Sequence, residues 1–594
     1  MRWQVLNLFR TKADVPMKPK QELSGCDRFL ENTSLVRDGR LGLARMLRII
    51  CRGRRKKSLS GAAFAKRTPH VVPYMPSPVQ KWCEIPSLAL LMALLGAGSL
   101  RATTYYVSAS GSDNDSGLTN TAPFRTFGHV LSGLPSGLAP GDTVMVMSGN
   151  YTNDDYTAAS PQDYVAAIKN SGTPNAWITI QNYPGATPQI YFNGLGAFFT
   201  SCSNIIIKGF TIIGNNDNCA LSNAQAQTGY TPFYCGNGIA LNTANHISVI
   251  SNTISKCGGC GISAPYCDYL TIEGNRIFSN AWYSPKEASG ISLFESKDTD
   301  SNTGYKNIIR GNVLYGNKCL VPQLGTSTIT DGNGIIIDFN QQYSYAGRTL
   351  VVNNISVNNG GSGIHTFHSS HVDILNNTSW HNSQVLNTNG EIYASWVSSD
   401  VNLFNNICVA APGHPVNHNF GNVGVTYNYN VYFGGNAPEI YGPQDLTTDP
   451  LLINPQTDPT TGDFRVQTTS PAIDSGTSVA ATPTIDCRGF ARPVGAGPDR
   501  GAYEAAKVTN FQLTTTNSAG HVCPQVLCAR LQDPSGSRYI LELSNDLLSW
   551  TNASGVLVTV STTHPDAATE LVRLCDPSPL STFPKRFYRV RYVQ

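Results

Sequence analysis

The sequence predicts an all-β chain: a parallel β-helix solenoid followed by a small C-terminal β-sandwich domain. Three observations carry this. Charged residues make up only 14% of the 594 positions, while Gly (54) and Pro (35) are abundant, which suits short strands joined by turns and not coiled coils or helical bundles. A hydrophobic content of 41% excludes wholesale disorder. From about residue 200 to 410 the chain repeats itself with a base period near 23.

The elements follow in order. Residues 1–74 hold 17 Lys/Arg against 5 Asp/Glu, and residues 103–594 hold 23 against 33. The bulk is therefore acidic, and no steering field for nucleic acid is expected from it. The basic cluster Arg52, Arg54, Arg55, Lys56 and Lys57 could serve targeting or nucleic acid, but an export signal follows it. Residues 87–100 form an apolar run of about 14 residues, short of the ~20 that a membrane span requires. Lys81 precedes it and Leu100-Arg101-Ala102 closes it, the shape of a secretory signal peptide. Met75 is then the natural start. Residues 1–74 are expected to be an upstream extension absent from the mature protein, and 75–102 the signal. An internal membrane anchor is the alternative. After signal cleavage no stable membrane insertion is expected, and the protein is expected to be secreted or on the cell surface, and monomeric. Twelve of the 15 cysteines follow the cleavage point, which in an oxidising compartment predicts disulfides. Cys235 with Cys257 or Cys260 is the expected bridge, because adjacent coils would bring them together.

The repeat has two recurring units. Gly-Ile or its equivalent recurs with Ile239, Ile262, Ile291, Ile335, Ile364 and Ile392, at spacings of 23, 29, 44, 29 and 28. An Asn-bearing turn before an apolar residue recurs at Asn252, Asn275, Asn312, Asn354, Asn377 and Asn406, at spacings of 23, 37, 42, 23 and 29. No amphipathic helix fits between such units. Each coil therefore holds three short strands, stacked about 4.8 Å from the next. A column of Asn at one turn predicts a hydrogen-bonded ladder.

Residues 103–506 are the expected solenoid domain. Tyr105-Tyr106-Val107-Ser108, Pro123-Phe124-Arg125-Thr126, Pro140-Gly141-Asp142-Thr143-Val144 and Gly149-Asn150-Tyr151 at its start, with Ser470-Pro471-Ala472-Ile473-Asp474-Ser475-Gly476 and Pro498-Asp499-Arg500-Gly501-Ala502-Tyr503-Glu504 at its end, carry a resemblance. With the repeats between, they resemble the right-handed parallel β-helix proteins of the pectate-lyase-like superfamily, many of them secreted by bacteria. The resemblance implies a right-handed solenoid and a groove for a polysaccharide. Residues 507–594, with alternating Arg538–Ser544 and Arg586–Tyr592 around Trp550, resemble the β-sandwich modules that end large secreted bacterial proteins. Cys523, Cys528 and Cys575 are expected to staple that module.

Aligning the Gly-Ile strands sets outward residues in columns. One position after Ile stand Ala240, Ser263, Ser292, Ile336, His365 and Tyr393; three after, Asn242, Pro265, Phe294, Asp338, Phe367 and Ser395; four after, Thr243, Tyr266, Glu295, Phe339, His368 and Trp396. The later coils gather acids, imidazoles, a phenol and an indole, the equipment of general acid–base catalysis and sugar stacking. Asp338, His365, His368, Glu295 and Tyr393 are the expected catalytic residues; Trp396, Lys297 and Arg348 the expected substrate contacts. Asp338 beside His365 should favour the imidazolium. Ca²⁺ is the one cofactor the pattern allows, with Asp331 and Asp338 as ligands bracketing Gly332-Asn333-Gly334; Asp331 as a simple turn cap is the competing reading. His371 and Asp373 read as solvated turn residues, and Lys286, Lys297, Lys306 and Lys318 as solvated loop charges. One calcium-dependent pectate lyase family with this fold places its base in Gly-Asn-Gly-x-Lys. Here the stretch ends in Ile336, so that base is not carried over. The expected function is a polysaccharide lyase or related carbohydrate-active enzyme on an acidic glycan, against glycoside hydrolysis, a non-catalytic glycan-binding surface protein, or an adhesive solenoid.

Overall fold

Short strands leave backbone groups unpaired on both edges, and a solenoid pairs each edge with the coil before and the coil after. A computed structural model describes residues 102–152, 163–505, 509–518, 521–531, 538–545, 549, 551–552, 558–563, 569–576 and 586–593. The basic head and almost all of the signal-like run lie outside the described residues. Among the described residues, three parallel sheets of 11, 8 and 10 strands stack coil upon coil. The first runs from Thr104–Val107 to Val425–Asn428, the second from Tyr164–Ile168 to Ile392–Ser395, and the third from Gly149–Tyr151 to Val431–Gly434. One coil passes from Asn237–Leu241 in the second sheet through Asn245–Ile250 in the first to Thr253–Ser255 in the third. This is a parallel β-helix.

The second sheet is the predicted set of Gly-Ile strands. Ile239, Ile262, Ile291, Ile335, Ile364 and Ile392 sit in register on successive coils, and each is at most 1% exposed. The 44-residue spacing does not break this register; the extra chain loops out. The core is an axial column of such aliphatic side chains. Phe127, packed on Phe198 and Phe210, closes its first end together with Val130 and Leu131.

The corner between the first and third sheets carries the expected Asn ladder. Asn252 Nδ2 donates to Asn275 Oδ1 at 3.1 Å, and the same bond repeats through Asn312, Asn354, Asn377 and Asn406 to Asn430. Asp445 ends the ladder, accepting from Asn430 N at 2.6 Å. A second ladder stands where the third sheet turns back to the second. It links Asn280, Asn317, Asn359 and Asn382 and ends on buried Glu391, whose carboxylate accepts from Asn382 N, Asn382 Nδ2 and Ser379 Oγ. Burial lifts the Glu391 carboxyl to about 7.

The expected exit segment is a strap over the third sheet. Phe464 and Ala502 join Tyr315, Ile355 and Val357 in one buried cluster, and Gly501 N donates to Asn405 O at 2.6 Å. Beyond it come two antiparallel sheets of four and three strands. Trp550 and the side chains of Cys523 and Cys528 lie outside the described residues.

Three expectations change. Cys257 and Cys260 are both thiols, so neither bridge to Cys235 is formed. Cys257 points into the core, its Sγ on Ser255 O, and Cys260 Sγ accepts from Ser289 N at 3.5 Å. Lys306 is not a solvated charge. A bulge in its strand turns it inward, where its wholly buried ammonium meets Asp268, Asp298 and Asp300 at 3.2, 2.8 and 2.9 Å. Asp373 is likewise no solvated turn residue: it is buried and held by Arg348. No described helix is long and apolar enough to cross a membrane.

Candidate functional site

The strands of the second sheet end, coil after coil, in a residue with left-handed backbone. Thr243, Tyr266, Glu295, Phe339, His368 and Trp396 have φ of 55, 60, 50, 51, 47 and 44°. This conformation favours Gly and Asn, and a bulky side chain there costs of order 1–3 kcal/mol. At the corner between the first and third sheets the same conformation is taken by Gly209, Ser251, Gly274, Gly311, Asn353, Asn376 and Asn405. The corner beside the second sheet keeps aromatic and acidic side chains instead.

Those side chains build an open face. Phe339 lies 5.2 Å from both Phe367 and His368, and Phe367 stacks on Trp396 at 5.9 Å and 8°. Phe294 and Tyr266 extend the row over earlier coils. Trp396 is 58% exposed. Tyr343, from the insertion after Phe339, adds a ring against Tyr266. The Lys297 ammonium lies 3.9 Å from the Tyr343 ring centre and 4.5 Å from that of Tyr266.

Two carboxyls stand within this row. Glu295 and Asp338 are neighbours despite the long insertion between them: Phe294 pairs with Asp338, and Glu295 N donates to Asp338 O at 2.8 Å. Asp338 Oδ1 is shielded from solvent and has no hydrogen-bond partner. Burial, then the negative charges of Asp331, Glu287 and Glu295, push the Asp338 carboxyl up to about 8. Burial also raises Glu295, with Lys297 pulling back. At neutral pH one carboxyl thus holds its proton while its neighbour ionises more readily.

The remaining expected residues divide. His365 and Tyr393 belong to the same strands but stand in the column one position after Ile, which is covered. Tyr393 is 3% exposed beneath Phe420 and His418, and His365, 6% exposed, stacks on Tyr393 at 5.3 Å. Burial alone pulls the His365 imidazole down to about 3, so the expected imidazolium is not formed. Burial lifts Tyr393 to about 12, and its hydroxyl is shared with Ser362 Oγ at 2.8 Å. Arg348 is on the first sheet, away from this row, forked onto Asp373 at 2.8 and 2.9 Å and paired with Asp400. Asp400 also takes His371 Nδ1 at 2.6 Å.

Asp331 behaves as a turn cap. Its Oδ1 accepts from Asn333 Nδ2 at 3.0 Å and Ser289 Oγ at 3.5 Å, and burial lifts its carboxyl to about 7. Among the described residues no cluster of three or more His, Cys, Asp or Glu is arranged to hold a metal ion.

Sequence reasoning placed Tyr266, Phe339 and Phe367 in the correct columns without singling them out. Tyr343 it missed, although Gln341-Gln342-Tyr343-Ser344-Tyr345 is a Tyr-bearing insertion close behind Asp338.

The family comparison gives the hand of the winding. The model of the right-handed β-helix region matches residues 147–341, and the solenoid is a right-handed parallel β-helix. No curated protein matches the sequence. Among solved structures, pectate lyase Pel9A is similar at 15% identity and TM-score 0.42, over 68% of this chain and 96% of its own. A GH136 lacto-N-biosidase from Eubacterium ramulus is similar at 16% and 0.36, over 58% and 57%. A rhamnogalacturonan lyase is similar at 15% and 0.34, over 58% and 87%.

Proposed function

We propose that this chain is an exported carbohydrate-active enzyme that cleaves glycosidic bonds on the open face of its second sheet. The observation that carries the reading is the pair Glu295 and Asp338, side by side in an aromatic row, with Asp338 lifted to about 8. Glycoside hydrolysis uses one carboxyl as proton donor and one as carboxylate. Asp338 is the donor to the leaving glycosidic oxygen, because it keeps its proton at neutral pH. Glu295, beside Lys297, is the carboxylate that acts at the anomeric carbon, directly or through water. His368, Phe367 and Trp396 hold the sugar rings.

β-Elimination is the weaker reading. It requires a base, and the covered His365 is pulled to about 3 while Tyr393 is lifted to about 12. The mature protein should be screened against neutral and acidic glycans, following new reducing ends and the ultraviolet absorbance of unsaturated products together. New reducing ends without unsaturation are expected. Asp338→Asn should lower the rate by about 10²-fold or more with the fold intact. A glycan bound but never cleaved would leave a binding protein in place of an enzyme.

A further inference from the structure

We infer, on the reading that this face takes a glycan, that its occupant is an uncharged chain lying along the solenoid axis. The sequence pattern alone pointed instead to an acidic glycan.

Phe339, His368 and Trp396 stand in one column, each in a backbone conformation that Gly or Asn would adopt at lower cost. Phe367 lies between Phe339 and Trp396, at 5.2 and 5.9 Å. A chain running along the axis meets a fresh ring at every coil, about 4.8 Å on. Aromatic faces take the C–H face of a pyranose and offer nothing to a carboxylate.

A polyuronate brings an anion with every ring and requires matched cations. This row carries Glu295 and the proton-bearing Asp338, and the negative charges of Asp331 and Glu287 act on it as well. Of the cations expected to meet a substrate, Arg348 is forked onto Asp373 and paired with Asp400 on another sheet. Lys297 rests over the Tyr343 and Tyr266 rings. Lys318, expected only as a solvated loop charge, packs against Gly332 and Gly360 instead, and burial weakens its affinity for a proton. A row of anions would also drive Glu295 toward its protonated form and remove the carboxylate that hydrolysis requires.

The test is affinity electrophoresis of the full chain through gels holding β-glucan, β-mannan or xylan, against polygalacturonate or alginate, at physiological salt. Retardation by at least one neutral polymer is expected, with none by the polyuronates. Trp396→Ala should weaken that binding about tenfold, and Trp396→Phe should largely restore it. Because Trp396 is 58% exposed, circular dichroism and melting should stay unchanged in both variants. If a polyuronate binds instead and Asp338→Asn stops its cleavage, the enzyme reading survives and the uncharged-chain inference falls. If neither class binds, both fall. Neutral-glycan binding that ignores Trp396→Ala overturns the placement on this row.

Discussion

Asp338 is held where a carboxyl is costly to ionise, and that cost is visible in stability. Its carboxyl is lifted to about 8, against ~3.9 in an unfolded chain. Between these values the native state holds a proton that the unfolded state has lost. The stability this group contributes is therefore complete below about pH 4 and is lost as pH rises through about 8. Denaturant unfolding across pH should find Asp338→Asn more stable than the parent under alkaline conditions, with the gap closing toward about pH 4. The same variant should be the inactive one, since a site can be kept at the expense of stability. Hydrolysis itself should decline as pH rises through about 8, where the donor is lost. At this scale the sequence was half legible. Glu295, Asp338, His368 and Trp396 come together on one face as their columns required, and Lys297 joins them from the loop after Glu295. His365 and Tyr393 do not share it, because Phe420 and His418, from a later loop, cover Tyr393. No periodicity announces a covering loop.

Elements in this solenoid are held as much by their corners as by their strands. Asn312 accepts from both the backbone and side-chain amides of Asn275, and donates to Ile272 O and Asn354 Oδ1. Asn312→Ala would strand several buried partners and should cost about 2–4 kcal/mol, measured as a shift in denaturant midpoint. The first ladder was readable because an Asn-bearing turn recurs at the period of the repeat, with Ile254, Ile277, Val313, Ile355 and Ile407 one or two positions behind it in five of the six coils. The second was not, although Asn280, Asn317, Asn359 and Asn382 keep the same spacings of 37, 42 and 23. They precede Ala281, Lys318, Gly360 and Ser383, which carry no common apolar signal. Each ladder ends on a carboxylate, Asp445 or Glu391. An acid can accept the last amide bonds without owing a donor onward, so the column stops without an unsatisfied group.

For the whole molecule, the strap that covers the third sheet hangs on Arg492. This residue is 4% exposed, donates to Asp499 O at 2.8 Å and Gly501 O at 3.1 Å, and stands 3.5 Å from Glu504. Arg492→Ala leaves Glu504 buried without its counter-charge and should cost about 3–5 kcal/mol. Limited proteolysis should then cut within residues 470–505 before the coils open. By itself the sequence determined the solenoid, its period and the columns of outward residues. Those depend on local alternation and on spacing along the chain, which stacking preserves even across a 44-residue insertion. Only the tertiary structure decided which column stays open, that Lys306 and Asp373 are buried pairs, that Cys257 and Cys260 remain thiols, and that Asp338 and not His365 carries the proton at neutral pH. Burial is set by chain that returns from far along the sequence, and burial governs ionisation, pairing and access.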